Sequence, residues 1–230
     1  MNMQAIILIT LLIVVAYLLS RNNMLKAKYY HAQLIPHAIL NSLVFLQRNI
    51  LKGHSTSSTF FDYQSNYLKK ILGAENKLVS TLSEEINQTS DFIDYFNLVN
   101  NSAYNCETFS NVKPDETIWV PSLLLQPYIE NIFKHSNEKE GTIVIHTNVN
   151  RSIFNDMLYI SLYMQGEETY SNKIKIRKSL NGLYFSKTKI EYTCNAACGN
   201  GISESKVEIF SSNEGKYKVT ISIPSTLIKI

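Results

Sequence analysis

Residues 120–136 read VPSLLLQPYIENIFKHS, and positions 122–136 of that run predict an amphipathic helix carrying Gln126, Glu130, Asn131, Lys134 and His135. The helix interrupts a stretch of different texture. From about Asn101 onward, β-branched and alternating runs predict strands over 117–120, 142–149, 157–163, 206–211 and 216–223. Turn chemistry separates two pairs of them, Asn150 to Asp156 in one case and Asn213-Glu214-Gly215 in the other, so each pair is expected to form a hairpin. A weaker helix fits 183–192. Such an alternation predicts an α/β sandwich, with helices covering one face of a mixed sheet.

Toward the N-terminus the period becomes helical. From Met24 to Leu51 apolar residues recur at Leu34, Ile35, Ile39, Leu43, Leu46 and Ile50, with Pro36 expected to kink or restart the helix. A polar stretch, 52–58, ends it. A second helical region starts near Thr59, pauses around Gly73 and resumes after Thr81-Leu82-Ser83-Glu84, a capping-box pattern, to run through Ile86, Ile93, Phe96 and Val99. The two regions are expected to pair as an antiparallel helical hairpin. The stripe of Leu34, Leu43, Leu46 and Ile50 is expected to join two copies as a dimer.

Met1 to Ser20 holds no Asp, Glu, Lys, Arg or His, and Arg21, Lys26 and Lys28 follow it closely. About twenty residues at 1.5 Å rise cover a hydrocarbon core of roughly 30 Å, so this reads as a single membrane span with a basic stop. The basic flank predicts that the rest of the chain stays in the cytoplasm, on the cell inner membrane. A secretory signal peptide fits less well, because a charged n-region is missing and Tyr17-Leu18-Leu19-Ser20 is a poor cleavage site. Little chain precedes the span, so no folded extracellular sensor is expected.

Of the 230 residues 45% are hydrophobic and 11% aromatic, which excludes a disordered chain. With 22 basic against 19 acidic side chains the net charge is +3, which lacks the electrostatic footprint of a nucleic-acid binder. Cys106, Cys194 and Cys198 are too few and too odd in number for a disulfide scaffold and point to a reducing compartment. No second Cys/His pair stands at zinc-finger spacing, so Cys194 and Cys198 read as free thiols in a mobile loop.

Two segments carry chemistry. Residues 33–43 read QLIPHAILNSL, with His37 directly after Pro36; the other segment is 120–136. Together, and in this order, they resemble the membrane sensor histidine kinases of the autolysis-sensor (LytS) type. In that family a histidine-kinase internal region, Q-x-x-P-H-F-L-x-N-S-L, precedes a Bergerat-type ATP-binding domain with the N box P-x-x-x-L-Q-P-x-x-E-N-x-x-K-H. Gln33, Pro36, His37, Asn41, Ser42 and Leu43 match the first motif. Pro121, Leu125, Gln126, Pro127, Glu130, Asn131, Lys134 and His135 match the second, and Leu82-Ser83-Glu84-Glu85 and Tyr95 suit the intervening region.

The resemblance implies residue roles. His37 would be the phosphoryl acceptor, a neutral imidazole being nucleophilic at cytoplasmic pH. Asn131 would hold Mg²⁺ through its amide oxygen and Glu130 would orient or deprotonate the nucleophile, while Lys134 and His135 would lie near the phosphates of ATP. A response regulator would be the partner, and the chain would act as a homodimer or as a heterodimer with a related kinase. It also implies three parts: an anchor over 1–23, a dimerisation and phosphoacceptor region over 24–101, and an ATPase-like sandwich over 102–230. His31, His54 and His146 match nothing and read as structural.

The nucleotide motifs are degenerate. Where the family ends a strand in Asp-x-Gly, to accept a hydrogen bond from the adenine amino group, this chain has Met164-Gln165-Gly166, and a thioether is a weak, uncharged acceptor. The family's lid, G-x-G-x-G-L-x-N, aligns with residues 178–185, where only Gly182 and Leu183 survive. The Gly199-Asn200-Gly201 cluster comes after the helix and reads as a turn. Ala38 and Leu40 stand where the family usually has phenylalanines. Two functions are therefore expected to compete: a histidine kinase transferring phosphate from ATP to His37 and on to a regulator, and a pseudokinase that dimerises with and modulates a partner.

Overall fold

The computed structural model describes residues 3–51, 58–73, 77–113, 116–135, 138–151, 156–166, 172–174, 181–198, 205–211 and 217–224; within the helices, the side chains of His37, Leu46, Ile50 and His135 are among those outside the description. The elements in chain order are α1 (Met3–Leu51), α2 (Ser58–Gly73), β1 (Val79–Thr81), α3 (Leu82–Asn100), β2 (Ala103–Ser110), β3 (Trp119–Pro121), α4 (Gln126–His135), β4 (Glu140–Asn150), β5 (Met157–Met164), β6 (Asn172–Ile174), α5 (Asn181–Cys198), β7 (Lys206–Ser211) and β8 (Tyr217–Pro224).

The protein is α/β. Six strands form one sheet in the order β2-β4-β5-β8-β7-β6. β2 runs parallel to β4, and every other pairing in the sheet is antiparallel. Both expected hairpins form, β4 with β5 and β7 with β8. Alternation sorts their side chains: Leu158, Ile160 and Leu162 of β5 and Val219, Ile221 and Ile223 of β8 are buried under α4 and α5, while Tyr159, Ser161, Thr220 and Ser222 lie on the opposite face. A separate two-stranded ribbon pairs β1 with β3, matching Ser80 to Val120.

Four sequence expectations need correction. Pro36 does not restart the helix, for α1 continues through it. Proline removes one helical hydrogen bond, but Leu34 and Ile35 just before it are buried in the core and Ile39 beyond it packs against the same core, which holds the helix on both sides of the defect. Leu34 is consequently not part of an unpartnered stripe, although Leu43 is exposed. The second helical region pauses at Gly73 and resumes at Leu82 as expected, but strand β1, which was not expected, stands directly before the second piece, so α2 and α3 are separate helices. Cys194 is buried in α5, and Cys198 ends that helix, so neither lies in a loop.

The capping box is present. The Thr81 hydroxyl accepts from the Glu84 N–H at 3.1 Å and the Glu84 carboxylate accepts from the Thr81 N–H at 2.8 Å. At the other end of α3, Asn101 caps in the left-handed region, with φ 50°. Asn97 ties that end to the sheet: its side chain donates to the Tyr104 carbonyl at 2.7 Å and accepts from the Tyr104 N–H at 2.9 Å.

The N-terminal stretch of α1 is apolar and bare. It is one described helix long and apolar enough to cross a membrane, and its most apolar window is not buried at all. Beyond it, α1 lies antiparallel against α5. Ser20 Oγ donates to the Ala196 carbonyl at 3.4 Å, the Lys26 ammonium sits 5.0 Å from the Tyr192 ring centroid, and Tyr30 stacks on Tyr192 with centroids 5.8 Å apart. Tyr184 and Phe185 complete the aromatic seam around Tyr30.

Candidate active site

Helix α4 owes its orientation to its two faces. Tyr128, Ile129, Ile132 and Phe133 are buried, Gln126, Pro127, Glu130 and Asn131 are half-buried, and Lys134 is exposed. Spacing of three and four residues puts the polar set on one stripe. Phe133 stacks on Phe96 of α3 at 3.9 Å and lies 4.8 Å from the Tyr104 ring, which fixes the helix about its own axis.

The stripe meets α2. Gln126 Nε2 donates to Glu130 Oε1 at 2.7 Å and also to the Tyr67 hydroxyl. Tyr67 is buried and stacks on Tyr95 at 5.3 Å. Burial, with the Glu130 charge next in importance, holds its phenol well above the usual tyrosine range. A hydroxyl so held stays protonated, so it serves as a neutral hydrogen-bonding group beside Glu130.

The turn before α4 is gripped by a buried carboxylate. Glu85 of α3 accepts from the N–H groups of Leu123 at 2.8 Å and Leu124 at 2.7 Å, and from the Ser80 hydroxyl at 2.7 Å. From the other side, the buried Lys189 ammonium of α5 donates to the Ser122 carbonyl. Burial pushes the Glu85 carboxyl up, against the opposing pull of Ser80 and Lys189, and pushes Lys189 down to about 7, against the pull of Glu85.

The sequence-predicted residues are thus partly assembled. Glu130, Asn131 and Lys134 share α4. His37 lies on α1 one residue after Pro36, its side chain outside the described residues, as is that of His135. Gly166 follows β5 in an exposed bend, whereas Gly182 lies in the first turn of α5 and is helical, not part of a loop, a correction to its reading as a lid glycine. Residues 178–180 and the cluster 199–201 lie outside the described residues.

Met164 ends β5 and is 2% exposed. Its methyl group would stand 2.9 Å from a Cβ at Gly141, and the Tyr104 ring is 3.9 Å from the same point. Gly141 has φ +151°, so glycine suits both the backbone and the space that Met164 fills. The position where an adenine-reading aspartate was sought is apolar core.

Sequence reasoning missed Tyr67 and Lys189 and gave Glu85 no role. Lys189 had a signal: it falls three residues after Ser186 and four before Thr193, on the face of α5 that turns inward with Leu183, Ile190 and Cys194.

No family model matches the chain and no curated protein matches it. Among solved structures it is similar to the nucleotide-free catalytic domain of the histidine kinase ThkA, with 15% identity and a TM-score of 0.41 over 64% of this chain and 95% of that one. The histidine kinase AdeS of Acinetobacter baumannii is 14% identical, with a TM-score of 0.39 over 82% of this chain and 95% of that one. ThkA in complex with the response regulator TrrA is 17% identical, with a TM-score of 0.39 over 85% of this chain and 60% of that one.

Proposed function

We propose that the chain is a membrane-anchored protein of the sensor histidine kinase kind, acting in a two-component phosphorelay in which His37 receives phosphate from ATP and passes it to a response regulator. Residues 1–23 anchor it in the inner membrane, 24–101 dimerise and carry the acceptor, and 102–230 form a Bergerat-type sandwich in the cytoplasm. The observation that carries this reading is the polar stripe of α4, where Glu130 and Asn131 are half-buried side by side and Gln126 joins Glu130 to α2.

The metal and phosphate end of the site fits. Magnesium takes few protein ligands beside phosphate oxygens, and the Asn131 amide oxygen is the right hard donor. Among the described residues no group of three or more His, Cys, Asp or Glu offers a rival cation cage. MgATP, when bound, would supply the phosphoryl group; Asn131 would hold the metal, Lys134 and His135 would attract the phosphates beside Gly166, Glu130 would orient or deprotonate the nucleophile, and a His37 ring nitrogen would accept. The adenine end does not fit, because Met164 is buried against Gly141 and offers no charged acceptor.

That same packing favours a second reading, a pseudokinase that dimerises with a partner kinase and modulates it. Titration of the detergent-solubilised chain with ATP, GTP and Mg²⁺ separates the two. A missing charge-assisted hydrogen bond costs about 1.5–3 kcal/mol, so ATP should bind at least about tenfold more weakly than to a family member with the aspartate, and with little preference over GTP. Binding should disappear in Asn131→Ala, and acid-labile label should disappear in His37→Gln. No binding and no label, even with a related kinase added, would leave the interaction module.

A further inference from the structure

Residues 122–125 form the turn that launches α4, and it is not self-supporting. Leu123 has φ +53°, a left-handed conformation that leucine keeps only when its surroundings hold it. The N–H groups of Leu123, Leu124 and Leu125 precede the helix and have no partners within it. All three point at the Glu85 carboxylate, at 2.8, 2.7 and 3.4 Å. The Ser122 N–H donates to the Leu78 carbonyl at 3.0 Å, and the Ser122 carbonyl accepts from Lys189.

We propose that Glu85 and Lys189 are positioning residues for the α4 site, a buried clamp that closes on residues 122–125 from α3 and from α5 and so sets the direction in which α4 presents Glu130 and Asn131. For its catalytic consequence the proposal rests on the reading of α4 as the magnesium-nucleotide site; the clamp itself concerns only where α4 points. Nothing local does this work, since the contacts span 38 to 40 residues on the Glu85 side and 67 on the Lys189 side. The carboxylate also stands at the N-terminal, positive end of the α4 dipole, which favours it. Both groups are buried, and each charge is tolerated because the other is there. The clamp draws on α3 from one half of the protein and α5 from the other, so a shift of either helix is felt first at the start of α4.

Hydrogen exchange on the full chain in lipid nanodiscs, combined with nucleotide titration, tests the clamp. In Lys189→Met, amides of residues 126–131 should exchange at least about tenfold faster while those of the β4–β5 hairpin keep their protection. The MgATP concentration for half-maximal binding should rise about tenfold with the site residues untouched. If Lys189→Met does not fold, the double variant Glu85→Gln with Lys189→Met removes both charges and should show the same local loosening of α4. Unchanged exchange in α4, or acceleration shared equally with β4 and β5, would overturn the proposal. If the parent binds no nucleotide yet α4 loosens selectively, the clamp stands and the kinase reading falls.

Discussion

The N-terminal stretch of α1 and the helix α5 belong to neighbouring elements and obey opposite rules. On α1, Ile7, Leu11, Leu12 and Ile13 are between 57% and 63% exposed, whereas α5 buries Ser186, Thr188, Lys189 and Thr193. Burial follows the surroundings a surface must meet and the partners its polar atoms find. Leucines stay bare where, in the proposed span, lipid would be the solvent, and a lysine stays inside where a carbonyl accepts from it and a carboxylate charge favours it.

The sharpest way to break this contrast is at the buried pair. Glu85→Ala strips the acceptor from two short, buried backbone hydrogen bonds, at about 1–3 kcal/mol for each donor left unsatisfied, and removes the charge that favours the Lys189 ammonium, so the variant should lose about 3–5 kcal/mol of stability in urea unfolding. A loss under about 1 kcal/mol would mean that the pair is as dispensable as a surface one. On the exposed side, Leu12→Arg should disfavour insertion by about 2.5–3.5 kcal/mol, read as protein released from membranes by carbonate. Full retention in the membrane pellet would deny that these leucines face lipid.

Thr81→Ala removes one half of the capping box and should cost about 1 kcal/mol, again by urea unfolding. The pH dependence of stability carries the sign of the buried lysine. Between about pH 7 and the ordinary lysine value of 10.5, the unfolded chain binds the proton that the folded Lys189 has shed, so its contribution to stability rises with pH across that window. Glu85 acts in the reverse sense at lower pH, its raised folded value giving a contribution that is lost as pH rises through it. Unfolding curves of the parent and of Lys189→Met should therefore differ in slope above pH 7. Smallest of all, Glu191→Gln breaks an ion pair with Lys187 whose side chains are 33% and 37% exposed, and should change stability by no more than about 0.5 kcal/mol.

Much of this architecture was legible because it rests on local periodicity. The hairpins of β4 with β5 and β7 with β8, and the helix bearing Glu130 and Asn131, follow from alternation, turn residues and amphipathic spacing. Strand β2 was missed because it is a sheet edge: only Tyr104 is buried along AYNCETFS, so the alternation that marks a strand is nearly erased. β1 and β6 have three residues each, too few to show a period. Pro36 misled in the other direction, since a local rule yielded to packing by Leu34 and Ile35. The convergence of Glu85 and Lys189 on residues 122–125 was out of reach because it is made only by the tertiary fold, while the polar stripe of α4 was readable from one helix alone.

The hydrogen bond from Ser20 to the Ala196 carbonyl sets a height. Residues 3–20 rise about 27 Å as a helix, and if they span a bilayer as proposed, the last turn of α5 would lie level with the lipid headgroups. The sandwich would then be moored alongside its span, with no slack between them. In a thicker bilayer, mismatch would draw Arg21 and its neighbours toward the hydrocarbon, and the strain would fall on the seam where Tyr30 stacks on Tyr192. Bilayer thickness would thereby become a mechanical load on α5, transmitted along one helix to the residue that grips the start of α4.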